Sequence, residues 1–227
     1  MPAPLSIVIP TLNAQDGLAR TLAALGPGLA AGIIREVVVS DGGSTDATCS
    51  IAEDAGAVVV TGAPGRGGQI GRGVGVSKGD WVLILHADTV LEATWPDAVA
   101  AHFARHGGSA GYFRLAFAAR GVWPSLVAGG ANLRSRVFGL PYGDQGFLVK
   151  RAALDAAGGV PDVPLMEDVA LARAFKGRLH PLDGVATTSA ARYERDGWGR
   201  RVMRNLWILL RYRLGADPAA LIKAYRR

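Results

Sequence analysis

The segment WVLILHADTV, residues 81–90, runs five apolar residues directly into His86, Ala87 and Asp88. Apolar positions without polar alternation mark a strand buried on both faces, as in a parallel sheet covered by helices. Such a run usually ends in Gly, Asn or Pro, the residues that turns favour. Here the strand instead delivers an imidazole and a carboxylate to the edge where a buried sheet meets its loops. Open parallel sheets bind ligand at that edge.

The preceding residues supply the rest of such a sheet. LSIVI (5–9) is a strand stopped by Pro10, and Leu18, Leu22, Leu25 and Leu29 recur at helical spacing, predicting one helix over 15–31. IIREVVVS (33–40) is a second strand. GGSTDATCSIAEDAG then enters a helix, with Ser44 or Thr45 as N-cap and Asp46 in the first turn. AVVVTG (57–62) is a third strand, and Gly67 to Val76 a short helix leading to residues 81–85. The alternation predicts an α/β fold with three layers and a mostly parallel sheet. After residue 107 the pattern loosens, leaving strands at 110–119 and 146–151 and a helix at 166–176. Residues 192–215 form a basic amphipathic segment. The reading is a domain over 1–190 with a helical tail over 191–227.

Composition bounds the function. The 227 residues suit one large core, and 25 basic against 19 acidic residues leave a charge of +6. That balance admits nucleic acid, an anionic membrane or phosphate-bearing substrates. The arginines cluster in the tail without a reader motif, so no nucleic acid is expected. Cys49 is the single cysteine, which excludes an intrachain disulfide and points to a reducing compartment. MPAPLSIVIPTLN lacks the basic and long apolar regions of a signal peptide. No uncharged run approaches the roughly 20 residues of a membrane span. The expectation is a cytoplasmic protein, with a peripheral position at the inner face of a membrane as its variant.

The chain has no G-x-G-x-x-G and no G-x-x-x-x-G-K-[ST], which argues against a dinucleotide dehydrogenase or P-loop enzyme. HFARH (102–106) lacks the glutamate of a zinc helix, and no G-x-S-x-G is present. Carboxylates at strand ends remain. Asp88 reads either as a turn residue or as a ligand of Mg²⁺ or Mn²⁺, ions held by one or two carboxylates plus substrate phosphates. Asp41 reads either as a nucleotide contact or as a bond to its own turn. Glu167 and Asp168 read either as first-turn acids or as a general base at a pocket mouth.

Taken in order, SIVIPTLN, VVVSDGGSTDAT, GRGGQIGRGV, GDWVLILHADT, YGDQGFLVKR and PLMEDVALARAFKGR resemble the family 2 glycosyltransferases of GT-A (Rossmann-like) fold, over about residues 5–178. ARYERDGWGRRVMRN is similar to a small bacterial subgroup associated with arsenosugar biosynthesis. The resemblance implies inverting transfer of a sugar from a nucleoside-diphosphate sugar, UDP first, to an acceptor hydroxyl, with Mn²⁺ or Mg²⁺ on the diphosphate. It places Pro10, Thr11, Asp41, Arg66, Gln69, His86 and Asp88 around the donor. Asp88 takes the metal-binding position, and Asp168, with Glu167, the place of the catalytic base. Asp144 and Gln145 fall on the acceptor side. Two departures stand out: Gly42 where the family carries an aspartate, and His86 in place of the first aspartate of D-X-D. Competing readings are an idle nucleotide-sugar binding module, which Gly42 and His86 keep open, and a nucleotidyltransferase, against which IPTLN argues by lacking a Gly-rich basic loop.

In the tail, Val202, Leu206 and Leu209 fall on one helical face and Arg200, Arg204 and Arg211 opposite. That face either packs on the domain or a second subunit, giving a homodimer, or lies on an anionic membrane surface.

Overall fold

Alternate residues of the first strand part to opposite sides of the sheet. Leu5, Ile7 and Ile9 join one apolar cluster with Leu18, Leu83, Trp95 and Val99. Val8 joins another with Ile70, Val74, Val82, Phe147 and Phe175. This two-sided burial is what an apolar run without alternation demands, and it creates the three layers.

The computed structural model describes residues 3–163, 166–216 and 221. The chain begins β1 (Leu5–Thr11), α1 (Gln15–Ala23), α2 (Gly26–Ala30), β2 (Ile34–Asp41), α3 (Thr48–Asp54), β3 (Val58–Thr61), α4 (Arg66–Val76) and β4 (Trp81–Ile84). It continues through β5 (Thr89–Leu91), α5 (Trp95–Arg105), β6 (Ala110–Phe117), α6 (Val122–Phe138), a 3₁₀ turn at Gly143–Gln145, β7 (Phe147–Lys150) and α7 (Arg151–Ala156). It ends with α8 (Glu167–Ala174), β8 (Leu179–Thr188), α9 (Ala191–Asp196) and α10 (Trp198–Arg213).

The strands form one sheet in the order β3-β2-β1-β4-β7-β6-β8-β5. β1 pairs in parallel with β2 and β4, β2 with β3, and β6 with β8. β7 runs antiparallel between β4 and β6, and β5 antiparallel on β8. The mostly parallel α/β sheet expected from the sequence is therefore present. From β1 the chain winds outward to β3, then crosses to place β4 on the other side of β1. The carboxyl ends of β1 and β4 thus flank a switch point, where a crevice opens.

Three local expectations are corrected. The single helix over 15–31 is two helices, because Pro27 begins a new one and its ring denies the preceding turn an N–H donor. Ser44 and Thr45 do not cap α3. Its N-cap position is Ala47, and Asp46 serves instead, accepting hydrogen bonds from the Thr48 N–H (3.0 Å) and hydroxyl. The tail does not divide as its periodicity suggested. Leu209 is buried with Leu140, Val169 and Ala172, while Leu206 stays 55% exposed. The start of α10 is tied to α9 by Asp196, which pairs with Arg195, Arg201 and Arg204. Beyond Ala216 the predicted tail lies outside the described residues except Leu221, which packs on Ile208. Among the described residues no helix is long and apolar enough to cross a membrane.

Candidate functional site

The loop after β2 is organised by one carboxylate. Asp41 is buried and accepts hydrogen bonds from the Thr11 hydroxyl (2.9 Å), the Ser44 hydroxyl, and the Gly43 and Ser44 N–H groups (2.8 and 2.7 Å). Burial raises its pKa, but these bonds together outweigh burial and hold it below the usual carboxylate value. Of the two roles open to Asp41, the geometry displays the turn-forming one, and Thr11 is its anchor. Asn13, in the left-handed region at φ 49, joins the same turn by accepting from the Thr45 N–H (2.9 Å).

Gln69 has its amide committed inside the fold. Its Nε2 donates to the Thr11 carbonyl (2.6 Å) and the Ser40 carbonyl (3.1 Å), and its Oε1 accepts from the Gly65 N–H. The side chain therefore bolts the ends of β1 and β2 to α4. It also explains Gly42: a Cβ there would lie 3.0 Å from Gln69 Nε2. An amide held by three hydrogen bonds has little freedom to withdraw, so an aspartate at position 42 and Gln69 in this pose conflict. Arg72, which the sequence reading did not single out, closes the loop from behind by donating to the Asp41 carbonyl (3.1 Å).

Past β4, the backbone of Ala87 and Asp88 is gripped from two sides. Thr21 donates its hydroxyl to the Ala87 carbonyl (2.9 Å), and the Ser189 N–H donates to the Asp88 carbonyl (3.1 Å). Gly17 allows α1 to approach this closely, since a Cβ there would lie 2.8 Å from the Ala87 oxygen. His86 packs its ring against Gly143. Burial, then the Arg66 and Arg192 charges, lowers its pKa well below the usual histidine value and favours the neutral imidazole.

Opposite stands the start of α8. Met166 precedes it in the left-handed region at φ 67, a conformation that costs a non-glycine residue about 1 kcal/mol or more. It turns Glu167 and Asp168 into the cleft. Asp168 Oδ2 accepts from the Gly143 N–H (3.0 Å) and Oδ1 from the Val169 N–H (2.7 Å), which fixes the carboxylate plane. Glu167 is buried, with Arg66 Nη1 3.9 Å away. Its burial, and secondarily the Asp168 charge, raises its pKa. Asp144 is raised to about 6, first by burial and then by Asp168 and Asp88 against the opposing pull of Arg134. Gln145 is fully buried, accepting from the Ser135 hydroxyl (2.7 Å) and donating to the Phe113 carbonyl (3.1 Å). It shapes the loop from behind.

Six of the singled-out residues line one cavity of about 790 Å³: Arg66, His86, Asp88, Asp144, Glu167 and Asp168. Pro10, Thr11, Asp41, Gln69 and Gln145 do not line it. The sequence reading missed Arg134, Tyr142 and Arg192 in its walls. Arg134 lies over the Tyr142 ring at 3.4 Å, a pairing of helix and loop that no local spacing reveals. Among the described residues no three His, Cys, Asp or Glu side chains form a metal cage. A cation there would rest on one carboxylate, that of Asp88, with ligand phosphates completing its shell, an arrangement that Mg²⁺ and Mn²⁺ accept.

Comparisons with known proteins bear on this cavity. A family model described as Glycosyl transferase family 2 matches residues 6–129. A glucosyl-3-phosphoglycerate synthase of Mycolicibacterium paratuberculosis (strain ATCC BAA-968 / K-10) is 33% identical over 95 residues, 38% of this chain and 29% of that protein. Crystal structures of S. aureus TarS 1–349 with UDP-GlcNAc and of Mycobacterium tuberculosis glucosyl-3-phosphoglycerate synthase with Mn²⁺, UDP and glucosyl-3-phosphoglycerate share the fold. Their TM-scores are 0.64 and 0.58, at 19% and 21% identity. The matches cover 82% and 89% of this chain, and 58% and 78% of those chains. The chain thus spans less than a third of the curated relative and under two thirds of TarS 1–349.

Proposed function

The chain belongs to glycosyl transferase family 2, and from that premise we propose that it moves a sugar, with inversion, from a nucleoside-diphosphate sugar to an acceptor hydroxyl. The observation that carries the reading is the meeting of Asp88 and Asp168, eighty positions apart in the chain, in one cavity beside the switch point.

Asp168 acts as the general base. Two backbone N–H groups aim its carboxylate, and it takes the acceptor proton as that oxygen attacks the anomeric carbon. The bond from that carbon to the diphosphate oxygen breaks on the opposite face, and its electron pair leaves with the nucleoside diphosphate. General-base help of this kind is worth about 10²–10⁴-fold. Asp88 would hold Mn²⁺ or Mg²⁺, which when bound neutralises charge on the diphosphate. Arg66 adds a guanidinium on the same wall, suited to phosphate oxygens. Asp41, Thr11 and Gln69 are positioning residues that fix the loops on which the nucleotide rests. UDP is favoured because the related structures named above hold UDP or a UDP-sugar.

The test is a thermal-shift screen of UDP, GDP, CDP and dTDP and their sugars, with Mn²⁺, Mg²⁺ or EDTA. At ligand near 100 times Kd, linkage stabilises the protein by about 2.7 kcal/mol, roughly 5–10 °C in a chain of this size. A shift with UDP and Mn²⁺ that EDTA removes is expected. Absence of a shift with every nucleotide sinks the reading.

A further inference from the structure

The cavity that ends at Asp88 and Asp168 does not stop there. It extends between α6 and α10, whose contributions to its walls include Trp123, Leu126 and Phe138 from one helix and Met203, Leu206 and Leu209 from the other. Several of these side chains remain open to solvent: Trp123 is 56%, Leu126 61% and Met203 67% exposed. Helical spacing sets each group on one side of its helix. Val122, Trp123, Leu126, Leu133 and Val137 fall within an arc of about 100° on α6, and Met203, Leu206, Trp207 and Leu210 within about 100° on α10. Of these, Trp123, Leu126, Met203 and Leu206 line the cavity, so each helix turns part of an exposed apolar face toward it.

Polar groups line the same cavity. Arg134 Nη2, Asp144 Oδ1 and Asn205 Oδ1 are buried there without a hydrogen-bond partner among the described residues. One is a donor and two are carbonyl-type oxygens, a set that hydroxyl groups, which both donate and accept, can satisfy. Burying such atoms unanswered is costly. A wholly polar acceptor would leave Trp123, Leu126, Phe138, Met203 and Leu206 in these walls without an apolar partner.

We propose that the acceptor is an amphiphile, with its hydroxyl-bearing head at Asp168 and its apolar tail between α6 and α10. This rests on the glycosyl-transfer reading for the chemistry at the head, but tail binding can be measured apart from it. Continuity selects this occupant: one cavity joins Asp168 to the apolar side chains of α6 and α10.

The experiment titrates the whole chain, preloaded with UDP and Mn²⁺, with n-dodecyl β-D-glucoside below its critical micelle concentration. Methyl β-D-glucoside serves as the same head without the tail. Burying one methylene is worth roughly fourfold in affinity, so the dodecyl compound is expected to bind at least about 50-fold more tightly. Leu126→Glu and Leu206→Arg, both at exposed positions, are each expected to remove at least about tenfold of that gain while the UDP–Mn²⁺ thermal shift stays intact. Equal affinity for the two glucosides overturns the proposal, as does a tail effect that neither substitution touches. A dimer in sedimentation velocity that the two substitutions dissociate also overturns it, assigning the face to a second copy. Loss of the nucleotide shift in the wild type counts against glycosyl transfer, whereas the tail-length ratio reports on the amphiphile site alone. Flotation with phosphatidylglycerol vesicles identifies the source: recruitment means a bilayer lipid, and binding without recruitment a soluble amphiphile.

Discussion

The Asp41 carboxylate receives four hydrogen bonds from its own loop and from β1, whereas Asp144, across the cleft, keeps a buried oxygen with no protein partner among the described residues. The two edges of the cleft are built by opposite means. At the edge proposed for the donor, Gln69, Thr11 and Asp41 are joined by hydrogen bonds. At the edge proposed for the acceptor, burial raises the pKa of Glu167 and Asp144, Met166 lies in the left-handed region, and apolar side chains of α6 and α10 are exposed. The Asp41 carboxylate and the Gln69 amide are answered within the fold, whereas the unmet oxygen of Asp144 is one that a ligand can answer.

The largest expected effect separates chemistry from binding. Asp168→Asn should cut turnover by about 10²–10⁴-fold while the UDP–Mn²⁺ thermal shift is unchanged. Asparagine keeps an oxygen for the Gly143 N–H but cannot take the proton. If nucleotide response falls along with turnover, the two edges are one coupled site and the contrast fails.

Next come the opposite responses of the two edges to pH. The Asp41 carboxyl lies below its usual value, so its contribution is present above the unfolded value of 3.8 and is lost as pH falls through the folded one. Asp41→Ala should cost about 3 kcal/mol at pH 7, a drop of roughly 6–12 °C, and progressively less in acid. Asp144 behaves inversely. Raised to about 6, its contribution is fully present below 3.8 and lost as pH rises through 6. Asp144→Asn should therefore stabilise the ligand-free protein at pH 8, by on the order of 1 kcal/mol, and give no gain below pH 4. Melting curves of both variants across pH 3–9 check the signs. A gain from Asp144→Asn that persists in acid would mean that charge is not its origin.

A smaller effect tests why the donor loop departs from the family pattern. Gly42→Asp places a Cβ 3.0 Å from the Gln69 amide and should cost about 1–3 kcal/mol. Gln69→Ala alone should also destabilise, because it frees the ends of β1 and β2. Together the two should cost less than their sum, and strict additivity would show that Gly42 and Gln69 are not a matched pair.

How much of this was legible in sequence follows the same division. The donor edge is made of loops that directly follow strands, so SDGGSTD and HAD announced themselves by position alone. The proposed general base rests on resemblance, because Glu167 and Asp168 taken alone read equally as first-turn acids. The contacts of Asp41 and Gln69 could not be read, because spacing gives the place of a side chain and not its partner. The acceptor walls were invisible for a physical reason: β6, α6 and α10 come together by long-range packing, and periodicity records a face without saying what covers it. Hence Leu206 and Leu209, placed on one face by a 100° rule, differ completely in burial.

That last difference yields, in a substitution at Leu206, the smallest effect and the sharpest discrimination. Leu209→Ala removes a side chain packed on Leu140, Val169 and Ala172 and should cost about 2–4 kcal/mol. Leu206→Gln, three residues earlier, should change stability by less than about 0.5 kcal/mol, because the side chain already meets water. The pair is measured by denaturant unfolding at two protein concentrations. A near-zero effect at both means that the α10 face is open in the free protein and available to a ligand. A loss for Leu206→Gln that grows with concentration means that copies of the chain already cover it. The acceptor edge would then be as complete as the donor edge, and the contrast between them would be a property of the monomer alone.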